Sequence, residues 1–501
     1  MAAKHVFEGN RFLVLLNGAR DHRPFYLRLG AQLEACGGSV HYALDSHLTD
    51  YTERGADVPS GRAHYFSESF QANYGREDLP ASLRDVSVAR LLAPDVDRWR
   101  YSSFAKRDDP RYIHTLIACL GHFFEDLFVE HAFDHVIYEN VSNTFAYAAF
   151  EVARRHHAQY IGFVSSRLPG RTDVIGGTQS CAQHVERIYH RLRRGEVRPS
   201  ADIREWVRRY IPASGRPDYM SATGPFLLGP VAKYLRPIAF RRAFETLRYG
   251  LEQPRDAYHS FQLTNPLTAH AEQLQKELFR SARKPLVRAL YYGEPPSDGL
   301  PFILYPTQFH PESSTSVDAM GFEDELTNIR GIAANLPHRM RLVVRDHPLA
   351  CARQPLYFYE QIRRLPNVDM TGPDVDYESL LRRCDAVVCA SSSVGYDALL
   401  RGKPVFLLGR PFYAFVRGCT LLTGFGDLSA RLAAKNRALP SPKDIEHFVT
   451  AYYMASVPSM FDVDRQVFRP GAEQIAIDAI ARYGEDARHD AGVAGPVAMP
   501  S

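Results

Sequence analysis

The chain has 501 residues, 45% of them hydrophobic and 23% charged, which is typical of a globular protein of two or three domains. A formal net charge of +3 is too small to indicate a nucleic-acid-binding protein. No run approaches the roughly 18 consecutive apolar residues of a membrane-spanning helix, and the first residues, MAAKHVFEGNRF, lack the apolar stretch of a secretory signal, so we expect a cytoplasmic protein.

The first 180 residues alternate between strand and helix patterns. The apolar run Phe12–Leu16 ends at Asn17, Pro24–Ala35 has helical spacing, and VHYAL is a second apolar run. The strand HVIYEN, a helix over Thr144–His156 and the strand YIGFV continue the pattern. This alternation predicts a parallel, doubly wound sheet, and we assign residues 1–180 to a first Rossmann-like domain.

Residues 181–290 are rich in arginine and aromatic residues on segments of helical spacing. Prolines at positions 199, 212, 225, 230 and 237 indicate several short helices, which we interpret as an insertion or linker. Segments such as FLLGPVAKYLRPIAFRRAF could lie on anionic lipid. They could equally pack on the domains and present arginines to solvent or to an anionic glycan, and this second interpretation is slightly favoured.

Strand patterns return in the C-terminal part with FILY, RLVV, AVVC and VFLL, separated by helical segments. Asp376 is positioned to cap the helix YESLLRRC, and Gly402 to end the helix Ser393–Leu400. We assign residues 291–482 to a second Rossmann-like domain. The tail 483–501 has no periodicity and is predicted to be disordered.

Two doubly wound domains with a helical segment between them predict a cleft with a sheet on each side, because ligands of open parallel sheets bind beyond the carboxyl ends of the strands. Polar residues follow all four C-terminal strands and are expected to meet at that edge. They are Gln308 and Glu312 after FILY, Arg345 and His347 after RLVV, Ser391–Ser393 and Gly395 after AVVC, and Arg410 and Tyr413 after VFLL.

The triple serine is the clearest anion-binding pattern. Small residues between a strand and a helix let backbone N–H groups and hydroxyls point at a phosphate, and the helix N-terminus adds partial positive charge. A single serine would more simply be a helix N-cap, but Ser391–Ser393 followed by Gly395 favour phosphate. Pro348 prevents an early helix and keeps His347 forward, at the same edge.

The motifs RDHP, LPNV and LLRRCDAVVCASSSVGYDALLRGKPVFLLGRPFY resemble the capsular polysaccharide biosynthesis family of bacterial glycosyltransferases, which includes retaining β-Kdo transferases of GT-B fold. The resemblance covers about residues 300–420 and extends to the N-terminal half only in layout. It implies a GT-B-like fold of two Rossmann-type domains facing a cleft. It also implies a nucleotide sugar, CMP-linked, as co-substrate and no other cofactor.

The resemblance implies roles for individual residues. Glu312 would act at the anomeric carbon, supported by Gln308 and His347. The nucleotide would be bound by Arg345, His347, Ser391, Ser392, Ser393, Gly395, Asp397, Lys403 and Tyr413. Two positions depart from the family pattern: Arg345-Asp346 replaces the lysine before HP, and Asp397 replaces a glutamate that contacts the ribose.

Retention by double displacement needs an ionised carboxylate at the anomeric carbon. Arg345 and His347 are expected to be the cationic neighbours that keep Glu312 ionised. A solvated loop glutamate is about as probable an interpretation of Glu312.

The N-terminal domain is expected to bind the acceptor. Candidates are Asn17, Arg20, Asp21 and His22 after the first strand, Glu139 and Asn140 after HVIYEN, and Ser165, Ser166 and Arg167 after YIGFV. Glu139 could deprotonate the acceptor hydroxyl, although capping the following helix is slightly favoured.

These patterns favour a glycosyltransferase of capsule synthesis that moves a sugar from a CMP-Kdo-like donor to a glycan or lipid-linked glycan acceptor. The inner membrane face and capsule assembly proteins are further candidate partners; nucleic acid is not. Alternatives are a CDP-polyol phosphate transferase of teichoic-acid type, suggested by RDHP and SSVGYD, a nucleotide-sugar epimerase, and a non-catalytic scaffold. No metal is predicted, because the C-terminal half has no DxD pair at a strand end and the seven cysteines form no CxxC pair.

Overall fold

Two mainly parallel β-sheets, one from each half of the chain, form the framework of the protein. A computed structural model describes residues 6–16, 22–52, 58–99, 110–178, 181–214, 237–260, 266–296, 299–310, 312–434, 439–462 and 467–491. The strands are β1 (Arg11–Leu15), β2 (Ser39–Leu44), β3 (Ala63–Tyr65), β4 (His135–Tyr138), β5 (Gln159–Ser165), β6 (Arg171–Ile175), β7 (Phe302–Pro306), β8 (Arg341–Arg345), β9 (Val368–Thr371), β10 (Ala386–Cys389), β11 (Val405–Leu407), β12 (Cys419–Leu421), β13 (Val457–Pro458), β14 (Phe461–Asp462) and β15 (Val467–Phe468).

The helices lie mainly between these strands. They are α1 (Arg23–Ala35), α2 (Leu48–Thr52), α3 (Phe66–Ala72), α4 (Val88–Trp99), α5 (Pro110–His131), α6 (Thr144–Arg155), α7 (Gln183–Arg194), α8 (Ala201–Ala213), α9 (Pro237–Glu252), α10 (Pro254–His259), α11 (Pro266–Tyr291), α12 (Ser313–Ser316), α13 (Glu325–Ala334), α14 (Leu356–Arg363), α15 (Tyr377–Arg383), α16 (Ser393–Leu400), α17 (Phe425–Ala433), α18 (Pro442–Ala455) and α19 (Ala472–Ala491).

The first sheet has the strand order β13-β6-β5-β4-β1-β2-β3. Strands β1 to β5 pair in parallel, whereas β6 is antiparallel to both β5 and β13. The connections run in opposite directions from β1 and β4, which are neighbours, so the loops after these two strands flank a topological switch point. We call this sheet with its covering helices the first lobe.

The second sheet has the order β12-β11-β10-β7-β8-β9 and is parallel throughout. Its switch point lies between β10 and β7. The loop after β10 carries the triple serine, and the loop after β7 carries Glu312. Successive strand residues pack into different cores, as Leu304 and Tyr305 do, because helices cover both faces. We call this sheet with its helices the second lobe.

The helical region 181–290 is divided between the lobes. Tyr189 of α7 and Val207 of α8 share a core with Phe448 of α18 and one face of the second sheet. Asp256 of α10 instead accepts hydrogen bonds from the first lobe, from the Ser67 hydroxyl and the His47 N–H. The prediction of short helices holds for α7, α8 and α10, but it is wrong for α11, which has 26 residues and continues through Pro285. The described helices of this region are packed parts of the two lobes.

The end of the chain returns to the first lobe, which differs from the predicted domain 291–482. Strand β13 pairs with β6, and α19 packs on α1, where the Arg28 Nε lies 2.5 Å from the Glu473 Oε1. Helix α19 also extends to residue 491, so the predicted disordered tail is helical over 483–491. Ile477 and Ile480 are buried in the core of the first lobe and anchor the helix. Residues 492–501 lie outside the described part.

Two further expectations concern membranes and cysteines. Among the described helices, none is long and apolar enough to cross a bilayer. All seven cysteines are free thiols.

Candidate active site

A cavity of about 260 Å³ lies between the two lobes, beyond the carboxyl ends of the strands. We call it the interlobe cavity. Its lining residues are Asn140, Val164, Ser165, Arg167, Asp173 and Ile175 from the first lobe, and Gln308, Phe309, Glu312, Ser314, His347, Ser391, Ser392, Ser393, Phe412 and Tyr452 from the second lobe and α18. A larger concavity of about 680 Å³ includes Arg11, Asp134 and Gln159, at the amino ends of first-lobe strands. The smaller cavity is the better candidate, because ligands of such sheets bind at the carboxyl ends.

The loop after β7 is held by the buried side chain of Glu325. Its Oε1 accepts the Gln308 backbone N–H at 2.6 Å, and its Oε2 accepts the Tyr305 hydroxyl at 2.8 Å. The Gln308 side chain is 6% exposed, and its Nε2 has no hydrogen-bond partner within the described chain. A buried amide donor without a partner favours a ligand oxygen in the cavity, because an unmade hydrogen bond is costly.

Glu312 precedes the short helix α12 and reaches the cavity from the second lobe. Its backbone carbonyl accepts the hydroxyls of Thr315 and Ser316, and its carboxylate Oε2 accepts the Ser314 hydroxyl at 3.1 Å. The side chain is accessible to solvent, but desolvation by the neighbouring protein raises the pKa of the Glu312 carboxyl. The hydrogen bond from the Ser314 hydroxyl and the nearby His310 act in the opposite direction. Arg345 and His347 were predicted to be the cationic neighbours of this carboxyl. That prediction is wrong, because the basic residue that acts on the Glu312 pKa is His310.

His347 reaches the cavity as a neutral imidazole. Burial, with Arg345 and Arg353 nearby, lowers the pKa of His347 to about 4. The Nδ1 accepts the Leu349 N–H at 3.1 Å, so the proton of the neutral ring lies on Nε2. The imidazole can therefore donate a hydrogen bond to an anion without carrying charge.

Asp346 explains why an acidic residue stands between Arg345 and His347. Its buried carboxylate accepts the hydroxyls of Tyr292, Thr307 and Tyr359 and the His347 N–H. These bonds connect the end of β8 to the β7 loop and to α14. They fix the backbone that carries His347.

The triple serine forms the opposite wall of the interlobe cavity. Ser391 donates its hydroxyl to the Ser314 carbonyl, and the Ser392 side chain caps α16 by accepting the Val394 N–H at 3.2 Å. Ser393, the first residue of α16, lines the cavity and has no side-chain partner in the described chain. Two of the three serines are therefore structural, and Ser393 is the one positioned for a ligand.

Tyr413 and Gly395 support this corner from behind. The fully buried Tyr413 donates its hydroxyl to the Ser392 carbonyl. A Cβ at position 395 would collide with the Tyr413 hydroxyl and lie 2.9 Å from the Cys389 sulfur, so only glycine allows this packing.

Three residues that were predicted to contact the nucleotide lie outside the cavity: Arg345, Lys403 and Asp397. Arg345 donates to the Pro373 carbonyl at 3.0 Å and lies over the Tyr377 ring. Lys403 donates to the carbonyls of Arg382 and Cys384 at the end of α15, where a cation complements the helix dipole. None of the three lines the cavity.

Asp397 is the third of these residues. It accepts the Arg167 Nη2 at 2.7 Å and the Tyr377 hydroxyl at 3.0 Å, instead of facing a ribose. This ion pair joins the two lobes and is largely buried, with 6% and 13% of the two side chains exposed.

The predicted acceptor side is only partly assembled at the cavity. Asn140 donates to the Ser313 hydroxyl across the cleft at 2.6 Å, and Ser165 and Arg167 line the cavity. Glu139 instead pairs with the Nδ1 of His22. Its predicted capping of α6 is wrong, since Asn143 accepts the Ala146 N–H there. Asn17, Arg20 and Asp21 lie outside the described residues.

Asp173, a first-lobe carboxylate on the cavity wall, was not predicted from the sequence. Its Oδ2 accepts the Tyr452 hydroxyl at 2.6 Å, and its Oδ1 has no partner in the described chain. Burial raises the pKa of Asp173 to about 6. The hydrogen bonds with Ser166 and Tyr452 and the charge of Arg171 lower the pKa and offset part of this effect. The run RTDVI alternates as a half-buried strand would, and that alternation was the available signal.

The architecture defines a protein of GT-B fold, two Rossmann-like lobes with a polar cavity between their carboxyl edges. Residues 255–438 match the family described as "Capsule polysaccharide biosynthesis protein". The resemblance predicted from RDHP and the SSSVGYD segment is therefore confirmed over that part of the chain.

Individual relatives give further likenesses. A capsule polysaccharide modification protein, LipA, of Neisseria meningitidis serogroup B is 36% identical over 72 residues, which are 14% of this chain and 10% of that protein. The match thus spans about a tenth of the length of that curated relative. Among solved structures, the β-Kdo 2,7 transferase KpsC of Thermosulfurimonas dismutans has a TM-score of 0.33 and 14% identity, with 72% of this chain and 89% of that chain covered. A UDP-GlcNAc 2-epimerase of Neisseria meningitidis has a TM-score of 0.24 and 12% identity, with 94% and 100% covered.

Proposed function

We propose that the protein is a glycosyltransferase of capsular polysaccharide synthesis that transfers a sugar from a nucleotide donor to a glycan acceptor. One observation carries the proposal: Glu312, Gln308, His347 and the triple serine line one cavity whose opposite wall belongs to the first lobe. A nucleotide sugar bound by the second lobe would present its anomeric carbon to an acceptor bound by the first.

The second lobe would bind the diester or diphosphate of the donor. The Nε2–H of His347, the Ser393 hydroxyl and the N-terminus of α16 supply neutral or partly positive donors on that side of the cavity. The unpaired amide of Gln308 would bind a sugar oxygen or carboxylate. A CMP-linked acidic sugar of the Kdo class is the donor we propose.

The two carboxylates would divide the reaction between them. The Glu312 carboxylate forms a bond to the anomeric carbon as the bond to the nucleotide phosphate breaks. The acceptor hydroxyl then attacks that carbon, its proton goes to Asp173, and Glu312 is released. Two displacements retain the anomeric configuration, and a pKa of about 6 suits Asp173 as the base near neutral pH.

The experiment is a comparison of donors with a capsular glycan acceptor. CMP-Kdo, CDP-glycerol and UDP-GlcNAc are each incubated with the protein, and nucleotide release and labelled glycan are measured. We expect acceptor-dependent release of CMP, with the anomeric configuration retained by NMR of the product. Transfer from CDP-glycerol would favour the polyol-phosphate alternative, and UDP-GlcNAc conversion without acceptor would favour an epimerase.

Variants separate a catalytic protein from a scaffold. Glu312→Gln should lose transfer by at least about 100-fold, as loss of a nucleophile requires, while binding of CMP is kept. The matched control is Glu294→Gln, an exposed carboxylate of the second half that does not line the cavity. Equal activity in both variants would contradict the role of Glu312.

We also propose peripheral contact with the inner face of the membrane, where a lipid-linked acceptor would be presented. Leu278, Phe279, Leu286 and Leu290 of α11 are 42–58% exposed and fall on one side of the helix at about 100° per residue. In flotation with anionic vesicles, the wild type should float with the vesicles. The double variant Phe279→Ser/Leu286→Ser should not. Leu439→Ser, at a separate exposed leucine, is the control.

A further inference from the structure

Three histidines of the first lobe bring their ring nitrogens together away from the interlobe cavity. His41 lies on β2, His64 on the edge strand β3 and His131 at the end of α5, and one nitrogen from each lies within 4.8 Å of the others. None of the three lines the interlobe cavity. The positions are 23 and 67 residues apart along the sequence, so no local spacing motif connects them.

The nitrogen atoms of this cluster are arranged as metal ligands would be. The His41 Nδ1 and the His64 Nε2 are 3.0 Å apart, and two nitrogens on one tetrahedral Zn²⁺ lie roughly 3.3 Å apart. The His131 Nε2 is buried and has no hydrogen-bond partner in the described chain. The cluster thus contains a third imidazole nitrogen that no group of the described residues satisfies.

Charge and surroundings also suit a cation. The exposed carboxylate of Glu130, 3.8 Å from the His131 Nε2, is the charged group facing all three rings. Phe133 packs against His41 and His131 and limits the freedom of both rings.

We propose that His41, His64 and His131 bind one Zn²⁺ ion, with the Glu130 carboxylate in the fourth position. Three imidazoles and one oxygen ligand are a donor set that Zn²⁺ accepts and that Mg²⁺ and Ca²⁺ do not prefer. The ion would join β2, the edge strand β3 and the end of α5. This inference does not rest on the proposed function, because the site shares no residue with the interlobe cavity.

The test uses the full-length protein without a polyhistidine tag, stripped with EDTA and dialysed. Zn²⁺ is titrated by calorimetry, bound metal is counted by mass spectrometry, and melting is followed with and without Zn²⁺. We expect one Zn²⁺ per chain and a rise in melting temperature, since a ligand of the native state stabilises it by mass action. Mg²⁺ should give neither.

The variants His41→Asn, His64→Asn and His131→Gln should each weaken Zn²⁺ binding by at least about 10-fold, because even the loss of a group that only orients a metal ligand typically costs about that much. Each should also lose the Zn²⁺-dependent rise in melting temperature. His114→Asn, an exposed histidine of the same helix α5, is the control and should behave as wild type. Circular dichroism before metal is added shows whether each variant folds, and a variant that does not fold is replaced by Glu130→Gln with His131 intact, which should also bind more weakly. Absence of Zn²⁺ binding by the wild type, or binding unchanged in the folded cluster variants, would overturn the proposal.

Discussion

Asp173 lines the interlobe cavity, and its ionised carboxylate lowers the stability of the folded protein near neutral pH. Its folded-state pKa of about 6 lies above the ordinary value of 3.8, so the folded state disfavours the ionised carboxylate. The wild type should therefore lose stability as the pH rises from about 4 to 6, because the carboxyl ionises in the unfolded chain first.

Asp173→Asn removes this cost and keeps an oxygen for the Tyr452 hydroxyl. Above pH 7 we expect the variant to be more stable by up to about 3 kcal/mol, from the 1.36 kcal/mol of each pKa unit, and to transfer sugar poorly. Below pH 4 the two proteins should unfold alike. Urea unfolding at pH 4 and 7.5 measures the difference, and a variant that is less stable at pH 7.5 would contradict the raised pKa.

The pH dependence of the reaction follows from the same residue. If Asp173 accepts the acceptor proton, kcat/KM should rise with pH through about 6 and then level off. His347, with a pKa of about 4, should add no change between pH 5 and 8. A profile of kcat/KM from pH 4.5 to 8.5 tests this, and a flat profile through pH 6 would exclude Asp173 as the base.

Two substitutions at His347 separate its two nitrogens. Asn can accept the Leu349 N–H as Nδ1 does but cannot reach the ligand, whereas Gln places an N–H near the position of Nε2. We expect His347→Asn to weaken CMP binding roughly 10- to 100-fold, the value of a hydrogen bond to a charged group. His347→Gln should retain more affinity, as measured by calorimetry; equal losses would argue against donation from Nε2.

At the scale of single elements, α16 depends on a glycine at its buried face. Gly395→Ala should collide with the Tyr413 hydroxyl and destabilise the protein by about 1–3 kcal/mol, the usual cost of overpacking. Gly426→Ala in α17 is the matched control, because its Cβ would meet nothing within 4 Å. Because Gly426 lies in the first turn of α17, the control should gain no more than the roughly 0.5–1 kcal/mol expected in a helix interior. Thermal or urea unfolding compares the two, and a Gly395→Ala as stable as the control would be inconsistent with the packing.

The elements that the sequence predicts well are those buried on both faces. Strands β7, β8, β10 and β11 are short apolar runs ending in polar residues, so both their position and the edge they share can be read from the chain. The short strands β6 and β13 lack such a run and were not predicted. Because Asp173 lies on β6, it was not predicted as a site residue either. Position at an edge also does not determine direction: Arg345 and His347 are two residues apart and reach different surroundings.

At the scale of the molecule, the Arg167–Asp397 pair is the charged contact that joins the lobes beside the cavity. Removing one partner leaves the other charge largely buried, which costs on the order of 3 kcal/mol. A double-mutant cycle with Arg167→Met and Asp397→Leu should therefore show strong coupling in urea unfolding. The Arg341–Asp369 pair within the second sheet, about a quarter exposed, is the control and should couple more weakly. Equal coupling at both pairs would contradict a special role for the contact between lobes.

The crossing of the chain back to the first lobe means that the two halves cannot be separated by one cut. A chain ending at residue 438, the last position of the family match, would lack β13 and α19. Strand β6 would then become an open sheet edge, and the apolar side of α1 would face water, which are the conditions for aggregation. Anyone wishing to study the first lobe alone would have to join residues 457–491 to its end.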